Sequence, residues 1–153
     1  MKKTVIKYRE SEVEAVFQKL VSNWVELANF YQKEVTYDYE APSDRLPYVE
    51  MGDIARFIVD KKKSDNTEHF IPFFENVEEL MIHGDQYTRE LMVVGLFEGI
   101  QNRGGSQIDY YRSFDKWLKP ESLKAWRKLI EFWEKDDWKK TSESEKILRK
   151  GRR

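Results

Sequence analysis

The stretch SEVEAVFQKLVSNWVELANFY, residues 11–31, decides the fold class. Val13, Val16, Phe17, Leu20, Trp24, Leu27, Ala28 and Tyr31 recur at i, i+3, i+4, i+7, i+11, i+14, i+15 and i+18. That spacing is the apolar face of an amphipathic helix, whereas a half-buried strand alternates with a period of two. Ser11 and Glu14 have capping-box spacing, a hydroxyl at the N-cap and a carboxylate three residues on. The periodicity therefore predicts one long helix from Ser11 through Tyr31.

The same period returns along the chain. VTYDYE (residues 35–40) is β-prone and is broken by Ala41-Pro42-Ser43-Asp44, which predicts an extended connection or an isolated strand. Pro47 opens a second helix, where its missing N–H costs nothing. Met51, Ile54, Ala55 and Ile58 mark its apolar face, and Lys61-Lys62-Lys63 followed by Ser64-Asp65-Asn66 closes it. Phe70, Phe73, Phe74, Val77, Leu80 and Met81 define a third helix. Gly84 is expected as the left-handed residue that ends it. Asp85 is expected to cap the next helix directly, giving a tight antiparallel hairpin.

Residues 86–102 read differently, because LMVVGLF (residues 91–97) is apolar all round and marks a helix buried on most sides. Gly95 and Gly99 are four apart, so a neighbouring backbone can approach their shared face closely. After Arg103-Gly104-Gly105-Ser106, Tyr110, Phe114, Trp117 and Leu118 predict a fifth helix. Leu123, Trp126, Ile130 and Trp133 predict a sixth, restarted at Lys119-Pro120. The expected fold is all-α: a compact bundle of about six helices in antiparallel pairs around a buried central helix, orthogonal or HEAT-like. Residues 1–135 form one domain, and residues 136–153 a charged tail able to hold one short helix.

The composition agrees. Of 153 residues, 40 % are hydrophobic and 14 % aromatic, enough for a substantial core. The 36 % that are charged suit long solvated helix faces. With no cysteine there is no disulfide framework, no thiolate nucleophile and no Cys-containing zinc site. The apolar run 91–97 is far shorter than the roughly 20 residues of a membrane span. Residues 1–10 do not resemble a signal peptide, so the cytoplasm is the expected compartment. The net charge of −1 hides an asymmetry. Residues 11–110 hold 9 Lys and Arg against 19 Asp and Glu, whereas residues 111–153 hold 14 against 8. An acidic body repels nucleic acid and attracts a basic partner; a merely solubilising charge is the plain alternative.

Motifs for chemistry are missing. His69 and His83 lie at opposite ends of the third helix and cannot share a metal through it. There is no His-Glu-x-x-His, no phosphate-cradling Gly-rich loop and no nucleophile elbow. The expectation is thus no enzyme, no cofactor and no metal. Glu98 is the most unusual carboxylate, seven residues after Leu91 and four after Val94. It reads as a buried structural carboxylate sharing a polar cluster with Gln101 and Asn102, with a general acid as the rarer alternative. Arg112, Lys116, Lys119, Lys124, Arg127 and Lys128 surround Trp117 and Trp126, which lie on apolar stripes and read as core rather than as nucleic-acid stacking platforms.

Two groups of residues are candidates for recognition. Glu75, Glu78 and Glu79 share the polar side of the third helix, close in sequence to Asp85 and Glu90, as a solvated face or as a surface for a basic protein. Tyr37-Asp38-Tyr39-Glu40 alternates aromatics and acids in a loop, and Tyr is favoured at interface hot spots.

Residues 71–102, with Phe-Phe-Glu-Asn-Val-Glu-Glu-Leu, His-Gly-Asp and Gly-Leu-Phe-Glu-Gly-Ile-Gln-Asn, together with Trp117-Leu118-Lys119-Pro120-Glu121-Ser122, Trp126 and Phe132-Trp133, resemble a group of small all-helical bacterial domains. Many of these are similar to immunity proteins of polymorphic toxin systems, including contact-dependent growth inhibition. The resemblance covers roughly the second half of the chain and carries no residue roles. It implies a cytoplasmic protein that binds and blocks a cognate toxin, often a nuclease. On that reading Asp38, Glu40, Glu75, Glu78, Glu79 and Asp85 face a basic toxin domain, with Tyr37 and Tyr39 as anchors, and neither nucleic acid nor membrane is bound directly. A helical adaptor holding a peptide or protein partner is the alternative.

Overall fold

The computed structural model describes residues 10–35, 45–105 and 107–136. Among them there is no strand, and no helix is long and apolar enough to cross a membrane. The charged tail beyond Asp136 and the connection at residues 36–44 lie outside the described residues.

Residues 11–31 bury the expected face but not in one helix. α1 (Glu10–Val21) is already running at Glu10, so Ser11 is not its N-cap. The chain breaks at Asn23, whose φ is 65°, a left-handed conformation that Asn tolerates better than most residues. Ser22 helps end α1 by donating its hydroxyl to Lys19 O at 2.7 Å. Trp24 is extended, and α2 (Val25–Phe30) follows, running on as a π-helical turn, Tyr31–Val35. The break turns Trp24 into the core, stacked on His69 at 5.2 Å and edge-on to Phe57 and Phe73.

α3 (Pro47–Lys63) and α4 (Phe70–His83) have the expected bounds. Gly84, however, is extended (φ −75°, ψ 160°) rather than left-handed. Glycine is needed there for space: a Cβ would stand 2.4 Å from Leu80 O and 2.6 Å from Thr88 Cγ2. Asp85 caps as expected, accepting Thr88 N at 2.9 Å. α5 (Gln86–Glu90) continues through a π-helical segment, Leu91–Phe97, into α6 (Glu98–Gly104). This composite helix is the buried centre and lies along α3, with Gly95 set against Met51 and Gly99 against Ala55 so closely that a Cβ at either glycine would stand 2.9 Å from its neighbour.

The expected fifth helix is instead a run of turns. Asp109 draws the N–H groups of Tyr111 and Arg112 onto its carboxylate, and its carbonyl accepts the Ser113 hydroxyl. Trp117 N then bonds Phe114 O at 3.0 Å, a three-residue closure. Side-chain and carbonyl acceptors at Asp109 compete here with helical pairing. The apolar residues keep their core role: Phe114 sits among Phe70, Phe74, Trp117 and Trp126, with ring centroids 5.0–6.1 Å apart. α7 (Pro120–Glu131), extended by a π-helical turn Phe132–Asp136, packs on α4, and α1 also packs on α4. Trp117 and Trp126 are both buried, as expected of core rather than of a nucleic-acid surface.

Candidate functional site

The apolar face of α4 (Phe70, Phe73, Phe74, Val77 and Met81) is buried, which turns Ile71, Glu75, Glu79 and Ile82 outward along one stripe. Opposite them stands the start of α7. Pro120 occupies its first turn and Lys119 offers no capping side chain. The cap comes from α4: Glu78 Oε1 accepts Ser122 N at 2.9 Å and Ser122 Oγ at 2.8 Å, and Oε2 accepts Glu121 N at 2.9 Å. A carboxylate at a helix N-terminus satisfies orphan donors and meets the positive end of the dipole. We expect Glu78→Ala to destabilise the protein by about 1–3 kcal/mol, Glu78→Gln less, because donors are left buried without acceptors. Urea unfolding of the two variants measures this.

Between α4 and the α7 start runs an open groove of 910 Å³, lined by Glu75, Glu78, Glu79, Met81, Ile82, Arg89, Lys119, Pro120 and Glu121. Ile82 is 52 % exposed. The Lys19 ammonium, 2.9 Å from Glu79, holds that carboxyl below the usual carboxylate range. Arg89 is fixed by donating to Gly84 O at 2.6 Å. Arg89 and Met81 are shared with a second recess of 310 Å³, whose other walls are Gln86, Glu90, Val93 and Val94. The site thus offers three exposed carboxylates, the capping carboxylate of Glu78, two cations and an apolar wall whose Met81 it shares with the second recess.

The sequence candidates fall in different places. Glu75 and Glu79 are exposed on the groove wall. Glu78 lines the groove, yet it is buried, with 8 % exposure, rather than on a solvated face, because α7 sits on it. Asp85 is exposed and caps α5. Tyr37, Asp38, Tyr39 and Glu40 lie outside the described residues. Glu98 is half-buried rather than buried, and Val94 on the same stripe is 46 % exposed. The π-helical winding of residues 91–97 adds a residue to the turn, so helical counting through it points to the wrong face. Gln101 is a buried polar residue of this helix, 2 % exposed. It accepts Trp133 Nε1 at 2.9 Å and donates to Trp126 O at 3.4 Å, while Asn102 is exposed. Among the described residues no three His, Asp or Glu side chains gather where a metal ion could be held.

Sequence reasoning also missed a buried ionic cluster. Arg45 donates to Glu50 (Nη2 to Oε1, 2.9 Å), to the Tyr31 hydroxyl (2.7 Å) and to Glu14 (2.8 Å), while its guanidinium lies over the Phe17 ring. The Tyr31 hydroxyl donates in turn to Glu50 at 3.2 Å. Arg45 is 6 % and Glu50 1 % exposed. One residue before a helix and one acid in its first turn read as ordinary surface, so only the placement of Tyr31 on an apolar stripe hinted at the site.

The sequence model of a family described as a domain of unknown function (DUF7674) matches residues 17–134. The chain belongs to this family. Every lining residue of both recesses lies inside the matched span, as do Tyr31, Arg45 and Glu50. No curated protein and no solved structure matches the chain. For this DUF7674 domain the groove is therefore read from its own chemistry.

Proposed function

We propose that this chain is a binding protein rather than a catalyst, and that its groove receives a basic protein surface. In the form we favour it is an immunity protein acting in the cytoplasm. It covers the active site of a cognate toxin domain, with carboxylates standing where a nuclease would hold phosphates. The observation that supports this reading is the groove itself, where the exposed Glu75, Glu79 and Glu121 outnumber Arg89 and Lys119 beside the apolar Met81, Ile82 and Pro120. Apolar anchors within a charged rim suit a protein interface, and complementary charge speeds encounter.

The test is a pull-down of the tagged protein against the polypeptide encoded immediately upstream, followed by growth rescue. Capture of a toxic neighbour with restored growth supports the reading; a harmless neighbour that is not captured overturns it. Glu75→Lys with Glu79→Lys should weaken capture at least about tenfold, or about 1.4 kcal/mol, measured by calorimetry against the same partner.

A helical adaptor is the second reading. Lys19 pairs with Glu79, and Lys124 with Glu121 at 3.6 Å, which lowers the net field of the groove. The two readings differ in salt dependence: association with a basic toxin weakens steeply as salt rises, while apolar docking of an adaptor partner changes little.

A further inference from the structure

Two recesses of different chemistry adjoin at their shared walls Arg89 and Met81, one rich in carboxylates and the other walled by Val93 and Val94 beside Gln86 and Glu90. Resting on the binding reading above, we propose that they receive one cationic amphipathic α-helix of the partner, laid along α4. Its Lys or Arg side chains face Glu75 and Glu79, and an apolar side chain enters the recess at Val93 and Val94.

Three observations carry this. The first is shape: α4 has 14 residues, about 21 Å of helix, and its exposed stripe repeats Glu75, Glu79 and Ile82 at i, i+4 and i+7. A ridge with that period meets the matching ridge of another helix. The second is charge. In the larger recess the exposed carboxylates Glu75, Glu79 and Glu121 face the cations Arg89 and Lys119, while Glu78 is held as the cap of α7. The lysine that holds Glu79 comes from α1, outside the lining, in an exposed pair that a competing cation displaces at little cost. The third is backbone chemistry. Among the described residues there is no strand edge, so an extended peptide finds no ladder here, whereas a helix arrives with its own hydrogen bonds made.

The probe is a fluorescent synthetic peptide of Leu, Ala and Lys, about 15 residues and roughly 22 Å long as a helix, with its leucines on one face. It is titrated by anisotropy into the full-length protein. Saturable binding, weakened at least about tenfold by Glu75→Lys with Glu79→Lys and independently by Val94→Asp, supports the proposal. Val94 is already exposed, so its substitution leaves the core untouched, and circular dichroism verifies that. No saturable binding overturns the proposal. So does equal affinity for a sequence-scrambled peptide or for one broken by central prolines, since either means charge attraction alone. Should the upstream-encoded partner be captured with sensitivity to the glutamate reversal but none to Val94→Asp, the helix inference fails while the binding reading stands. Should the peptide bind as expected and no toxic neighbour be captured, the helix-binding groove stands and the immunity reading fails.

Discussion

Arg45→Ala lowers stability by about 3–5 kcal/mol, because it removes the guanidinium that pairs with the buried Glu50 carboxylate. For a domain of this size that corresponds to a Tm lower by roughly 6–20 °C, read by calorimetry or by circular dichroism. Glu14 belongs to α1, Tyr31 to the turn after α2 and Glu50 to α3, so Arg45 ties three elements at one point. Exposed ion pairs contribute little because water competes; this one is closed over by Phe17, whose ring also stacks on Tyr31 at 5.3 Å. A combined Arg45→Met and Glu50→Leu variant should recover much of the loss, since an apolar pair carries no desolvation penalty. If the double variant is no better than Arg45→Ala, the loss is one of packing rather than of charge.

The same cluster sets an alkaline limit. Burial, and then the Glu50 carboxylate, push the Tyr31 phenol well above its ordinary range. The native state therefore keeps a proton that the unfolded chain gives up near pH 10. This contribution is complete below about pH 10 and is lost as the pH rises further. Tyr31→Phe should cost about 1–3 kcal/mol at neutral pH and show a shallower decline in urea midpoint between about pH 9 and 11 than the parent protein. Parallel declines would mean that Tyr31 ionises as freely folded as unfolded.

Gly99→Leu should be nearly as damaging, about 3 kcal/mol, at the top of the usual range for overpacking. A Cβ on Gly99 would stand 2.9 Å from Ala55 Cβ, and neither atom can swing away, because each is attached directly to a helix backbone. At Gly95 the nearest atoms are Met51 Cγ at 2.9 Å and Met51 Cβ at 3.1 Å, a second point where the two helices leave no room for a side chain. Gly99→Ala is the finer probe: better helix propensity returns about 1 kcal/mol against the steric cost. Its partner variant Ala55→Gly empties the same space. The two together should be more stable than the sum of their separate effects predicts, by about 1–2 kcal/mol. Simple additivity would show that α3 and α6 can part without penalty.

Much of the fold was legible in the chain. All eight stripe residues from Val13 to Tyr31 face inward, and of these only Ala28 is not fully buried. The bounds of α3 and α4, the Asp85 cap and the close face of Gly95 and Gly99 also follow from local pattern. The same pattern hid the break at Asn23, because two shorter helices can present one continuous apolar stripe. It failed at residues 91–97, where π-helical winding changes the period being counted. It could not tell the turns at residues 107–118 from a helix, since Phe114, Trp117 and Leu118 are buried in either case.

Of the candidate site, the acidic stripe of α4 was visible and the groove was not. Glu75, Glu78 and Glu79 look alike in sequence, yet α7 claims Glu78 as its cap from 44 residues away and leaves the other two outside. Arg45 meets Glu14 across 31 residues. An apolar side chain is drawn inward whatever its neighbours are, so its position can be read from local spacing alone. A charged side chain is buried only where a distant partner completes its hydrogen bonds. The sequence by itself therefore determined which residues make the all-helical core. Only the tertiary structure decided which charges are bound within it and which remain exposed on the groove.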